Sequence, residues 1–346
     1  MNVYVDKKNL ESFIFSADNE YFEGCNRMLK KYLNVHINMS VEEFAQSAAC
    51  MAWAKTLLAG RGERNNAFDF RTEDSIFQER PIQKELIERF DKEKCSSIYL
   101  LDDPYVNEIR EKGNLIASGE KEVETLHRLQ IGEEEEQCYI RSMNLESDFR
   151  MKWEGIDCIA LPCSDIIICD PYILSNQWLY EKNLYALLRR MAKGLHNTRL
   201  RIVIISLKET QNGKKSDSLN YNKIRKMIKK LLKEKTIDAQ VSFVLPLSSK
   251  DFGEHDRTIL TNYVLYNSGA TLNFYNSKGQ LTTNGRYFTA YSLAFPKHEQ
   301  MASDFLKDMQ QLIYDIQKGE KQGEILSDGE NPSNLLSFNS CPISEE

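Results

Sequence analysis

Asp165-Ile-Ile-Ile-Cys-Asp-Pro-Tyr172 is the stretch on which the fold turns. Its apolar run is too short for a buried helix and closes on Asp-Pro, ordinary turn chemistry, so it reads as a strand covered on both faces. Outward from it, Trp178 to Lys193 repeats apolar residues at helical spacing. Arg201-Ile-Val-Ile-Ile205 is a second strand, Asn222 to Lys233 a basic helix, and Gln240-Val-Ser-Phe-Val244 a third strand. A β-α-β-α-β order calls for crossover connections, hence an α/β fold with a mixed, mainly parallel sheet and flanking helices. Arg257 to Tyr266 and Thr271 to Tyr275 read as further strands, open to antiparallel pairing. Ser303 to Ile316 is amphipathic and closes the domain.

Toward the N-terminus the pattern is shorter and more mixed. Asn2-Val-Tyr-Val-Asp6 and Ser97-Ile-Tyr-Leu-Leu101 read as strands. Glu20–Tyr32 and Val41–Leu58 read as helices, the second led by Ser40 with Glu43 three residues on, a capping-box pattern. Arg61 to Glu79 is expected as an exposed loop, Ile82 to Lys92 as a helix, and Val106 to Gln130 as a surface helix open to a break near Gly113 to Gly119. The resulting division is an N-terminal mixed α/β domain over 1–150, an α/β domain over 151–318, and a disordered acidic tail over 319–346. Ile98 to Tyr105 and Ile166 to Tyr172 are both apolar runs ending in Asp-Pro-Tyr, either a duplicated unit or simple turn usage.

With 41% hydrophobic and 28% charged residues among 346, wholesale disorder is excluded. No window approaches the ~18 unbroken apolar residues of a membrane helix. Asp6, Lys7 and Lys8 interrupt the place where a signal peptide keeps its apolar core, so a cytoplasmic location without membrane contact is expected. The eight cysteines form no CxxC pair and stand at no zinc spacing with histidine, which reads as reduced, buried thiols with no metal and no cofactor. His36, His127, His196 and His298 likewise stand at no ligand spacing. The net charge of −6 is unevenly spread: 176–240 holds sixteen Lys/Arg against five Asp/Glu, an excess of +11 that leaves −17 elsewhere. Such a surface suits phosphate backbones or an acidic partner. Lys223, Arg225, Lys226, Lys229, Lys230 and Lys233 concentrate that charge on one amphipathic helix, as a solvated face or a nucleic-acid-binding one.

The stretch with most chemistry runs from His255 to Asn273. His255-Asp-Arg257 is followed after four residues by Asn262, after six more by Gly269-Ala270, and after two more by Asn273. This spacing resembles the phospholipase-D-like superfamily, with its His-x-Lys, Asp, Gly-Ser and Asn. The resemblance implies a phosphodiester site with His255 as nucleophile, Arg257 as phosphate clamp and Asn273 as a further phosphate donor. Asn262 stands where the family has aspartate and Ala270 where it has serine, and one copy is present where the family's active site combines two, so a homodimer would supply the second half. Modules of this kind that have lost catalysis serve as binding domains.

A second chemical pattern uses carboxylates. Asp6, Asp102 or Asp103, and Asp170 each close a strand-like run, and on one sheet edge they would hold Mg²⁺ for a nuclease. Ordinary turn chemistry would place the same aspartates there without any metal. The expectation drawn from all this is a nucleic-acid or phosphate-ligand-binding subunit of a cytoplasmic assembly, with a protein partner or a second copy. Its texture resembles accessory proteins of bacterial defence or mobile-element systems. The alternatives are a phosphodiesterase or nuclease, and a protein-interaction subunit.

Overall fold

The computed structural model describes residues 1–58, 68–70, 96–101, 121–130, 161–193, 195, 199–208, 220–252, 257–268, 272–280 and 288–336. The expected helix over 82–92, the carboxylates Asp102 and Asp103, and the motif residues His255, Gly269 and Ala270 lie outside them. The chain divides into two compact units, Met1–Glu133 with Ser292–Glu299, and Glu134–Tyr291 with Gln300–Glu346.

The first unit is built on a four-stranded parallel sheet. Its strands are β1 (Asn2–Asp6), β2 (Asn34–Asn38), β3 (Phe68–Phe70) and β4 (Ile98–Leu100), in the order β3-β2-β1-β4. Its helices include α1 (Lys7–Phe15), α2 (Phe22–Lys31), α3 (Val41–Gln46), α4 (Ala48–Leu58) and α5 (Glu122–His127). Phe13 is buried between the rings of Phe22 and Trp53, at centroid separations of 5.0 and 6.4 Å. The Ser40–Glu43 capping box forms as the sequence reads. The single helix expected over Val41–Leu58 breaks at Ser47, whose extended backbone ends α3 while its hydroxyl accepts from the Cys50 amide at the start of α4. Phe68–Phe70 is a strand, not part of an exposed loop. Its three residues are too few to show a period. In α5, part of the expected surface helix, Glu122, Val123 and Leu126 are buried.

The second unit carries a seven-stranded mixed sheet. In chain order it has β5 (Asp165–Cys169), α6 (Gln177–Leu179), a π turn (Tyr180–Leu184), α7 (Tyr185–Met191), β6 (Arg199–Ile205), α8 (Tyr221–Lys233) and β7 (Asp238–Pro246). It continues with β8 (Arg257–Thr261), β9 (Val264–Ser268), β10 (Thr289–Ser292, to Tyr291 in this unit), the long helix α9 (Pro296–Lys318, in this unit from Gln300), and β11 (Gly323–Leu326). The order is β10-β9-β8-β5-β6-β7-β11. β5, β6 and β7 run parallel to one another; β8 on β5, β9 on β8 and β11 on β7 are antiparallel. The sheet is therefore mixed, parallel at its centre as expected, and β8 and β9 take the antiparallel pairing that the sequence left open.

Three local expectations fail for identifiable reasons. Arg257 to Tyr266 is a hairpin, not one strand: Thr261 Oγ1 accepts from the Val264 amide and donates to its carbonyl, turning the chain at Asn262-Tyr263. Of the strand expected over 271–275, the described residues 272–275 form only a bridge at Tyr275, with the Leu272 amide taken by Asp170 and the Tyr275 backbone by Asn183. The expected disordered tail is ordered to residue 336. β11 pairs with β7 over Phe243–Pro246, and Leu336 is buried.

Candidate functional site

Asp170 leaves β5 at its carboxyl end and is fully buried. Its carboxylate accepts the Tyr172 amide at 2.8 Å and the Leu272 amide at 2.6 Å, so it fixes both its own turn and the backbone next to Asn273. Arg257, at the start of β8, reaches the same end because β8 runs antiparallel to β5 with Thr258 opposite Cys169. Its guanidinium lies 5.6 Å from the Tyr172 ring centroid. Burial pushes the Asp170 carboxyl above the ordinary carboxylate range, opposed by the two amide donors and by the charge of Arg257. Burial also pushes the Cys169 thiol up to about 12, helped by Asp170, so it holds no thiolate at neutral pH.

The backbone after Leu272 is held from a second side. Asn183, wholly buried, donates to the Tyr275 carbonyl at 3.0 Å and accepts the Tyr275 amide at 2.9 Å. Asn183 sits in the π turn, an interruption of the kind that often marks functional segments. It pairs with Tyr275 as a neighbouring strand would. No sequence signal marked Asn183.

Asn262 does not join this end. It lies five positions beyond Arg257, about 17 Å along a strand at ~3.4 Å per residue. There it accepts the Ser164 and Asp165 amides at 2.9 and 3.1 Å and donates to Ser164 Oγ at 3.0 Å. Asn262 is thus a buried brace for the start of β5. Of the motif residues the structure describes, Arg257 and Asn273 lie at the Asp170 end and Asn262 at the opposite one.

The three-aspartate Mg²⁺ site is overturned. β1 and β5 belong to different sheets, so Asp6 and Asp170 share no sheet edge. Asp6 instead caps α1 through the Asn9 amide. Among the described residues no group of three or more His, Cys, Asp or Glu could hold a metal ion.

The basic helix α8 resolves into three faces. Ile224, Ile228 and Leu232 are buried. Arg225 and Lys229 form a second row and are spent on the C-terminal segment. Arg225 donates to the Val241 carbonyl and the Leu326 carbonyl, each at 2.8 Å, and Lys229 pairs with Asp328 at 2.6 Å. Bonds from Lys229 and the Val241 amide outweigh burial and hold the Asp328 carboxyl below its ordinary value. Lys223, Lys226, Lys230 and Lys233 form the third row, exposed, with Met227 beside them 45% exposed. Their spacing places all four on one face over about 15 Å, at ~1.5 Å per residue. Among the described residues none of the four forms an ion pair. Exposed Arg189 stands on α7, which packs against α8.

Compared with known proteins, the chain matches no family model and no curated protein. Among the described residues no helix is long and apolar enough to cross a membrane.

Replacing Asp170 by Asn tests the buried carboxyl. A folded pKa raised above the unfolded one gives stability that is full below the unfolded value and lost as pH rises through the folded one. Asp170→Asn retains an oxygen for the Leu272 amide and does not ionise. Urea titrations from about pH 4 to 7 are therefore expected to show wild type losing stability relative to Asp170→Asn as pH rises. A constant difference would mean that Asp170 does not carry this burial.

Proposed function

We propose that this chain is a nucleic-acid-binding subunit of a cytoplasmic assembly, taking phosphates on the lysine face of α8. The observation that carries this reading is the row Lys223, Lys226, Lys230 and Lys233. These four are exposed and form no ion pair among the described residues, while their neighbours Arg225 and Lys229 are consumed structurally. A merely solvated face has no need to segregate one sign of charge. The mixed sheet, with Arg257 at the carboxyl end of β5, supports a phospholipase-D-like scaffold for it. Asn262 bracing the far end of β5 favours binding over phosphodiester catalysis. A role in bacterial defence belongs to the same proposal.

The test is fluorescence anisotropy with a labelled oligonucleotide. Log affinity is expected to fall linearly with log salt. Lys226→Glu with Lys230→Glu should weaken binding more than tenfold and lower the salt slope by ~1 for each phosphate no longer neutralised. His255→Ala is expected to leave affinity unchanged. Metal-independent cleavage abolished by His255→Ala would install the enzymatic reading instead. Absence of binding at low salt would leave a protein-interaction subunit.

A further inference from the structure

The start of α8 borders a recess. A cleft of about 470 Å³ opens between the first turn of α8 and β11, with Tyr221, Asn222, Arg225, Glu324 and Ser327 among its walls. That volume lies within the ~300–1,000 Å³ typical of small-ligand sites.

The walls are fixed before any ligand arrives. The Tyr221 ring packs 5.4 Å from that of Phe243, and its hydroxyl donates to the Lys208 carbonyl at 3.3 Å. Arg225 spends its guanidinium on Val241, Leu326 and the Asn222 side-chain oxygen, which it meets at 3.3 Å. That arrangement leaves the Asn222 amide nitrogen to donate. Glu324 offers an acceptor, steadied by Lys208 at 3.0 Å, and Ser327 an exposed hydroxyl. A held aromatic ring, with donors and acceptors around it and Lys226 one helical turn on from Asn222, has the chemistry of a nucleobase site beside a phosphate site.

We propose that this cleft takes one unstacked base of a single-stranded nucleic acid whose phosphates run along Lys223, Lys226 and Lys230. The proposal rests on the nucleic-acid reading and names its substrate class. A duplex keeps its bases stacked and paired and cannot present one to the cleft. A single strand can, and base–aromatic stacking then adds to the phosphate contacts.

The experiment compares a labelled single strand with a hairpin duplex of the same sequence, on full-length protein at low salt. Wild type is expected to bind the single strand at least about tenfold more tightly, the scale that stacking of a base or two produces. Tyr221→Leu and the cleft-filling Ser327→Leu, which adds bulk without a stacking ring, should each remove most of that preference and leave duplex binding unchanged. Ser327 is exposed, so its substitution decides the matter even if Tyr221→Leu disturbs the packing on Phe243. Equal affinity for both forms, or a preference untouched by Ser327→Leu, overturns the cleft while lysine-dependent binding preserves the broader reading. No binding of either form overturns both.

Discussion

A chain ended at Lys318 will fail to accumulate as soluble native protein, or will melt without a cooperative transition. The sequence of the removed segment, polar and rich in Gly, Ser and Asn, gives no hint of this outcome. Its backbone supplies β11, which covers the free edge of β7 over Phe243–Pro246. Without it, a buried and strongly apolar strand would present an open ladder, the geometry that templates aggregation. The damage continues beyond β11. Arg225 loses the Leu326 carbonyl, Lys229 and the Val241 amide lose Asp328, Ser242 Oγ loses the Asp328 amide, Arg201 loses the Asn331 carbonyl, and Asp165 loses Ser333 and Asn334. At ~0.5–1.5 kcal/mol net per bond, and more where a charge takes part, these approach the whole ~5–15 kcal/mol of a typical domain. Expression followed by centrifugation and a circular-dichroism melt checks it. A soluble product melting like the full chain would show that the segment only decorates the sheet.

What the sequence showed and hid follows from where the determinants lie. β5, β6 and β7 were legible because each is a local apolar run, and the Ser40–Glu43 box because both partners sit within one turn. The segment after Lys318 was not, since its order comes from Asp165, Arg225 and Ser242, roughly 80 to 170 positions away in the chain. Nor could periodicity say which cations of α8 remain available. Arg225 and Lys229 differ from Lys226 and Lys230 only in facing a strand that composition had dismissed. The motif spacing from Arg257 to Asn262 was legible as spacing alone. Five residues of strand carry a side chain from one end of a sheet to the other, and only the hairpin at Asn262-Tyr263 fixes which end each residue serves.

Asp165→Ala is expected to destabilise the second unit by about 3–5 kcal/mol, near the upper limit for a single substitution. Asp165 is fully buried at the amino end of β5, and its two oxygens accept four donors. Ser333 Oγ and the Asn334 amide bond one oxygen at 2.9 and 2.6 Å; Ser164 Oγ and Asn334 Nδ2 bond the other at 2.8 and 2.9 Å. Alanine leaves those donors facing a cavity, each costing ~1–3 kcal/mol where no water replaces the carboxylate. Asp165→Asn should cost about half as much, since its amide oxygen still serves Ser333 and Asn334 while its nitrogen faces the Asn334 side-chain donor. Ser164 Oγ, which already accepts from Asn262, can turn to accept from the new amide as well. Urea denaturation of the three proteins should therefore give midpoints in the order Asp, Asn, Ala. Were Ala to match wild type, Asp165 could not be what draws 331–336 onto the sheet, because a buried anchor cannot be deleted at no cost.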